Sequence, residues 1–184
     1  MSVQTRVTAA EFDKFLALHA STDRHFELIR GEIVEKMPTQ THAHVAAMLT
    51  GFLFVYLRAN PIGYVLVEAR YRLTADDEND LIPDLSYVPK TRGALVSRGP
   101  ALYMPDLAIE IQSDGQSTRF MPDKALLYLE HGTQAVWNLY PGRGLAEVLT
   151  PTDRQLLTLD DLLLDERLLP GFAVRVGDVL AASS

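Results

Sequence analysis

Residues 105–113, Pro-Asp-Leu-Ala-Ile-Glu-Ile-Gln-Ser, constrain this chain more than any other stretch. Read as a strand, they put Leu107, Ile109 and Ile111 on one face and Asp106, Ala108, Glu110 and Gln112 on the other. An interior strand of an α/β sheet is usually apolar on both faces. A carboxylate buried there is costly unless it is paired or binds a metal. An earlier strand, residues 82–88, carries Asp84 near its start. If the two strands pair antiparallel, the start of one lies beside the end of the other, and Asp84 comes next to Glu110. Adjacent carboxylates repel, and a divalent cation is the common remedy.

The rest of the chain reads as a frame for that pair. Thr8 and Glu11 form a capping box for a helix to about Ala20 that buries Phe12, Phe15, Leu16 and His19. Residues 26–37 predict a hairpin turning at Arg30-Gly31. Thr41 caps a helix to about Arg58 with an apolar stripe of Val45, Met48, Leu49, Phe52, Leu53 and Tyr56, ended by Asn60-Pro61. Residues 63–73 alternate as one strand, and residues 75–80 form an acidic turn. Residues 113–118 form a polar stretch before a helix around residues 122–131, with Pro122 in its first turn and Gly132 as its stop. Strands follow at 135–140, 145–149 and 155–159. Asp160-Asp161 caps a short helix, a last strand covers 169–176, and 181–184 is a frayed tail. This order of helices and strands predicts a single α/β domain over residues 1–184, a central mixed sheet flanked by helices.

Composition narrows the chemistry. With 184 residues, 47% of them hydrophobic, the chain can bury a full core. It has no cysteine, which excludes disulfides, thiolate metal sites and a cysteine nucleophile. No signal peptide or bilayer-length apolar run is present, so a cytoplasmic location and no membrane partner are expected. The net charge of −7 argues against strong nonspecific binding of nucleic acid, though not against a local basic groove.

Lys124 shares a helix face with Leu127, Tyr128 and His131. Two readings stand for it: a lysine directed at the carboxylates, able to stabilise negative charge, or a snorkelling surface lysine. The loop over residues 89–100 carries Lys90, Arg92 and Arg98, which either contact a substrate phosphate or are solvated.

Several motifs fall in one order: Phe26-Glu-Leu-Ile-Arg-Gly-Glu-Ile-Val, His44, Pro83-Asp84, Glu110-Ile-Gln-Ser, Lys124 with Tyr128, and Trp137 with Pro141. In this the chain resembles the Uma-type restriction endonucleases of the PD-(D/E)XK nuclease superfamily, from about Glu11 to Leu180. The resemblance implies a restriction-endonuclease-like fold and a DNA endonuclease. It implies that Asp84, Glu110 and the main-chain carbonyl of Gln112 hold Mg²⁺ or Mn²⁺. The superfamily's lysine, normally two residues after the glutamate where Gln112 stands, has moved to Lys124. Glu27 would hold a water of the cation or a second ion, or else is an exposed strand carboxylate. His44 either touches substrate or fills a polar cavity. Cleavage would leave a 5′-phosphate and a 3′-hydroxyl, and sequence preference would come from loops or from a homodimer. A nuclease-fold binding domain without catalysis and a hydrolase of small phosphoesters are the competing readings.

Overall fold

The computed structural model describes residues 6–113 and 119–180. The polar stretch expected over 113–118 lies outside the described residues from 114 on, as does the expected tail at 181–184. The chain forms two compact units. One comprises Met1–Met37, Arg70–Ile82 and Val96–Met104. The other comprises Pro38–Ala69, Pro83–Leu95 and Pro105–Ser184.

In the first unit, α1 (Ala9–Leu18) starts at the expected reciprocal capping box. The Thr8 N–H donates to Glu11 Oε2 at 2.8 Å, and the Glu11 N–H donates to Thr8 Oγ1 at 3.3 Å. Strands β1 (His25–Ile29) and β2 (Glu32–Lys36) pair antiparallel, with Ile29 opposite Glu32. The turn between them puts both Arg30 (φ 50°) and Gly31 (φ 76°) in the left-handed region, as a tight two-residue hairpin requires. Phe12, Phe26 and Leu28 form the apolar core of this unit, and the Phe15 ring meets Phe26 edge-on at 4.9 Å. The fully buried Asp80 accepts from Arg70 at 2.7 Å and from Arg72 Nε at 2.8 Å, and both arginines also reach Asp13.

In the second unit, α2 (Gln40–Ala59) is capped by Thr39, whose hydroxyl accepts from the His42 N–H at 3.2 Å. The cap is therefore two residues earlier than Thr41, and the buried stripe differs accordingly. It runs His42, Val45, Leu49, Leu53, Leu57, while Met48 and Phe52 of the expected stripe are each 36% exposed. Strand β3 (Gly63–Val67) is shorter than the expected 63–73. Glu68 takes a left-handed φ of 49° and ends it, and Tyr71 instead bridges Leu81 and Ala101 in the first unit. The unit continues with β4 (Leu85–Pro89), β5 (Leu107–Ile111), α3 (Phe120–Glu130), β6 (Ala135–Tyr140), β7 (Leu145–Leu149) and β8 (Arg154–Leu157).

These strands make one six-stranded sheet in the order β3-β4-β5-β6-β7-β8. Only β5 and β6 run parallel, and α3 is their crossover, as a parallel neighbour demands. The sheet is thus mixed, as expected. Beyond it, Asp161 does not open a helix. Its carboxylate accepts from the Thr158 N–H at 2.7 Å and caps a turn leading into β9 (Leu162–Leu163). The expected last strand shrinks to β10 (Val174–Arg175), followed by α4 (Val176–Leu180).

The two faces of β5 do different work. Leu107, Ile109 and Ile111 join Trp137, Leu139, Phe172 and the apolar α2 residues Val45, Leu49, Leu53 and Leu57 in the main core. Ala108 and Glu110 face the other way, by the alternation of the strand. No helix among the described residues is long and apolar enough to cross a membrane.

Candidate active site

The register of β4 and β5 pairs Leu85 with Ile109 and Ser86 with Ala108. Carried one residue further, it sets Asp84 opposite Glu110. Asp84 stands just before β4, not within it, and the reason lies in its side chain. Asp84 Oδ2 accepts the Ile111 N–H at 2.7 Å, taking the ladder position a backbone carbonyl would fill. Its own carbonyl accepts from the Glu68 N–H at 3.1 Å. His42, from the first turn of α2, places Nε2 3.0 Å from the same Oδ2. Asp84 and His42 are both buried.

Glu110 is buried too, and α3 answers it. Lys124 Nζ lies 2.8 Å from Glu110 Oε1, and the Tyr128 hydroxyl donates to that oxygen at 2.9 Å. Lys124 and Tyr128 are four residues apart, one turn of helix, so one face of α3 delivers both donors. The side chains of Lys124 and Glu110 are only 1% and 4% exposed, which removes the snorkelling reading of Lys124. The expected mutual repulsion of Asp84 and Glu110 is therefore met within the protein, by His42 and the Ile111 N–H on one side and by Lys124 and Tyr128 on the other.

The remaining expected residues are placed as follows. Gln112 extends β5, its N–H donating to Leu139 at 2.9 Å. His44 is exposed, two positions and about 200° around α2 from His42, and fills no buried polar cavity. Arg92 holds Asp106 at 3.0 Å, and Lys90 Nζ sits 6.0 Å from the Tyr64 ring centroid. Glu27 and Arg98 belong to the first unit. Arg98 is exposed there, whereas Glu27 is buried and accepts the Ile82 N–H at 3.2 Å, so it is not an exposed strand carboxylate. Glu147, one strand beyond the Asn138 that pairs with Glu110, is bound by Arg154, by Tyr140 at 3.1 Å and by Asn138 at 3.2 Å. Burial, with the Glu147 charge beside it, pushes the Tyr140 hydroxyl up to about 12.

One residue at this site was not singled out from sequence, His42; Tyr128 was, but not as a donor to Glu110. His42 lies three residues before Val45 on the buried stripe, and the stripe shows this once the helix is started at Thr39. Tyr128 is the i+4 partner of Lys124.

Among the described residues, no group of three or more Asp, Glu or His gathers closely enough to hold a cation by itself. Two hard carboxylates at facing strand positions nonetheless suit Mg²⁺, which commonly takes one or two carboxylates and completes its shell with water and substrate oxygens. The donors present fit such an ion.

Comparison with known proteins agrees with this fold. The model of the Uma2 family, described as "Putative restriction endonuclease", matches residues 12–178. A crystal structure of "a putative nuclease belonging to DUF820" from Anabaena variabilis superposes with a TM-score of 0.80 at 23% identity, covering 95% of this chain and 98% of that one. At that identity the likeness concerns the fold. No curated protein matches the sequence.

Proposed function

The chain belongs to the Uma2 family, and on that premise we propose that it is a divalent-metal-dependent DNA endonuclease acting at Asp84, Glu110 and Lys124. The observation that carries this is the buried Lys124–Glu110 contact of 2.8 Å at the strand position opposite Asp84. Asp84 and Glu110 would hold Mg²⁺ or Mn²⁺, joined by the main-chain carbonyl of Gln112. A hard cation bound there polarises a phosphoryl oxygen and acidifies a water.

The chain's own residues do the rest. The Ile111 N–H and His42 fix the Asp84 carboxylate, leaving it little freedom to turn away from a cation it would hold. Tyr128 fixes Glu110 in the same way. The Lys124 ammonium, held by Glu110 in a site with little water, stabilises negative charge developing on the phosphoryl group. A single preorganised donor of this kind is worth roughly 10²–10³ in rate.

A binding domain without catalysis is the second reading. It is favoured by the fact that both carboxylates already have partners inside the protein. Supercoiled plasmid incubated with Mg²⁺ or Mn²⁺, beside a Glu110→Gln control, separates the two. Metal-dependent nicking lost in the variant supports the endonuclease. Bound but uncut plasmid in every divalent cation supports the binding domain.

A further inference from the structure

In the second unit, a cavity of about 590 Å³ runs between the exposed side of α2 and the end of β3. That size falls in the ~300–1,000 Å³ range of small-molecule sites. Ala43, Ala47, Gly51 and Phe54 form its α2 wall and Val67 faces them, and the cavity reaches His42 and Asp84 of the candidate active site. A second cavity of about 290 Å³ shares the Phe54 wall and is lined by Arg58, Tyr64 and Lys90. We propose that the two cavities seat a single DNA strand, with an unpaired base in the larger one and backbone phosphates at Arg58 and Lys90. This rests on the endonuclease reading and adds its substrate class: single-stranded or locally unpaired DNA.

Three observations lead to this occupant. The first is charge. The larger cavity's described lining is mostly apolar, with no lysine or arginine to hold a phosphate and with the Glu68 carboxylate on its wall, so its space suits the neutral part of a nucleotide. The smaller cavity carries the cations and an aromatic ring, with Lys90 over Tyr64. A basic track with interleaved aromatics is how single strands are held without sequence readout. In a protein of net charge −7, that local placement of Arg58 and Lys90 matters more than the total.

The second is Gly51. It lies in the interior of a 20-residue helix, where glycine is less stable than alanine. Gly63 has a packing reason, since a Cβ there would lie 2.3 Å from the Tyr87 ring. Gly51 has none, because a Cβ there would meet nothing within 4 Å. It leaves the α2 wall of the cavity bare at that turn. The third is continuity. Asp84 belongs to both the cavity and the candidate site, so a base in the cavity keeps its phosphate near the carboxylates. A base stacked and paired in a duplex cannot enter, whereas an unpaired one can.

The test is fluorescence anisotropy with a labelled 12-nucleotide strand, alone or annealed to its complement. Ca²⁺ stands in for Mg²⁺ on the oxygen ligands. The wild type is expected to prefer the single strand. Gly51→Leu, which narrows the cavity from its α2 wall with a better helix former, is expected to lose about 5- to 150-fold in single-strand affinity, the range that one stacked base supplies. Arg58→Ser with Lys90→Ser should flatten the dependence of log affinity on log salt by about 0.7 for each phosphate no longer neutralised, or about 1.4 for the pair. Free dAMP should compete poorly; competition as strong as the strand's would assign the cavity to free nucleotides and overturn the strand. Equal binding of strand and duplex, or an unchanged Gly51→Leu, overturns the inference while metal-dependent nicking keeps the endonuclease reading alive. Absence of both binding and nicking removes the two together.

Discussion

Replacing Lys124 by methionine removes the charge and keeps most of the volume. The Lys124 and Glu110 side chains are 1% and 4% exposed, and their charged atoms are 2.8 Å apart. Breaking a buried pair by removing one partner costs about 3–5 kcal/mol, because the other charge stays buried without compensation. The Tyr128 hydroxyl still donates to Glu110 Oε1, which places the cost at the lower end, about 3 kcal/mol. For a chain of this size each kcal/mol moves the melting temperature by about 2–4 °C, so Lys124→Met should melt about 6–12 °C below wild type in EDTA. Glu110→Gln combined with Lys124→Met leaves neither charge buried and should recover to within about 1 kcal/mol of wild type. Divalent cation should also restore part of the loss in the single variant, since it replaces the missing positive charge. At a free concentration ten times its Kd this amounts to about 1.4 kcal/mol. Thermal melts of wild type, Lys124→Met, Glu110→Gln and the double variant, in EDTA and in Mg²⁺, provide the readout. A Lys124→Met protein melting within about 2 °C of wild type in EDTA, or two single variants whose losses simply add in the double, would refute a buried, energetically coupled pair.

Two further outcomes follow from the fold. The Tyr140 hydroxyl, raised to about 12 against an ordinary value of 10, favours the neutral phenol in the folded state. Its contribution to stability is therefore fully present below pH 10 and is lost as pH rises toward 12. Tyr140→Phe should flatten that alkaline loss and remove one late step from the phenolate absorbance titration; an unchanged titration would place Tyr140 in solvent. Ending the chain after Pro170 strips Phe172, Val174, Val176, Val179 and Leu180 from the main core. That truncation should fail to melt cooperatively near the wild-type temperature, and a folded truncation that had lost only metal affinity would contradict its purely structural role.

Much of this arrangement could be read from local pattern. The capping box at Thr8 and Glu11, the turn at Arg30-Gly31 and the two faces of β5 each follow from a rule that acts within a few residues. So does the facing of Asp84 and Glu110, once β4 and β5 are taken as antiparallel. What the sequence left hidden depends on distant partners. The 63–73 alternation is continuous, but Glu68 turns left-handed and donates its N–H to the Asp84 carbonyl, and Arg70 and Arg72 are bound instead to the buried Asp80. Thr39 and Thr41 are equally good caps by type. The choice between them is made by the burial of His42, Val45 and Leu49 together, and it is what brings His42 rather than His44 to Asp84. The partners of the two carboxylates were half legible: Lys124 by its helix face, Tyr128 as its neighbour on that face but not as a donor, and the Ile111 N–H not at all, because a side chain completing a strand ladder leaves no mark in residue type.

The proposal that Asp84 and Glu110 together hold a divalent cation is tested most directly by a Mn²⁺ titration followed by electron paramagnetic resonance. It is run on wild type, Asp84→Asn and Glu110→Gln, each confirmed folded by its melt. A bound Mn²⁺ population is expected in the wild type, with at least about a tenfold loss of affinity in either variant, because Mg²⁺-like ions rely on one or two carboxylates. Wild-type affinity and stoichiometry in both variants would contradict it.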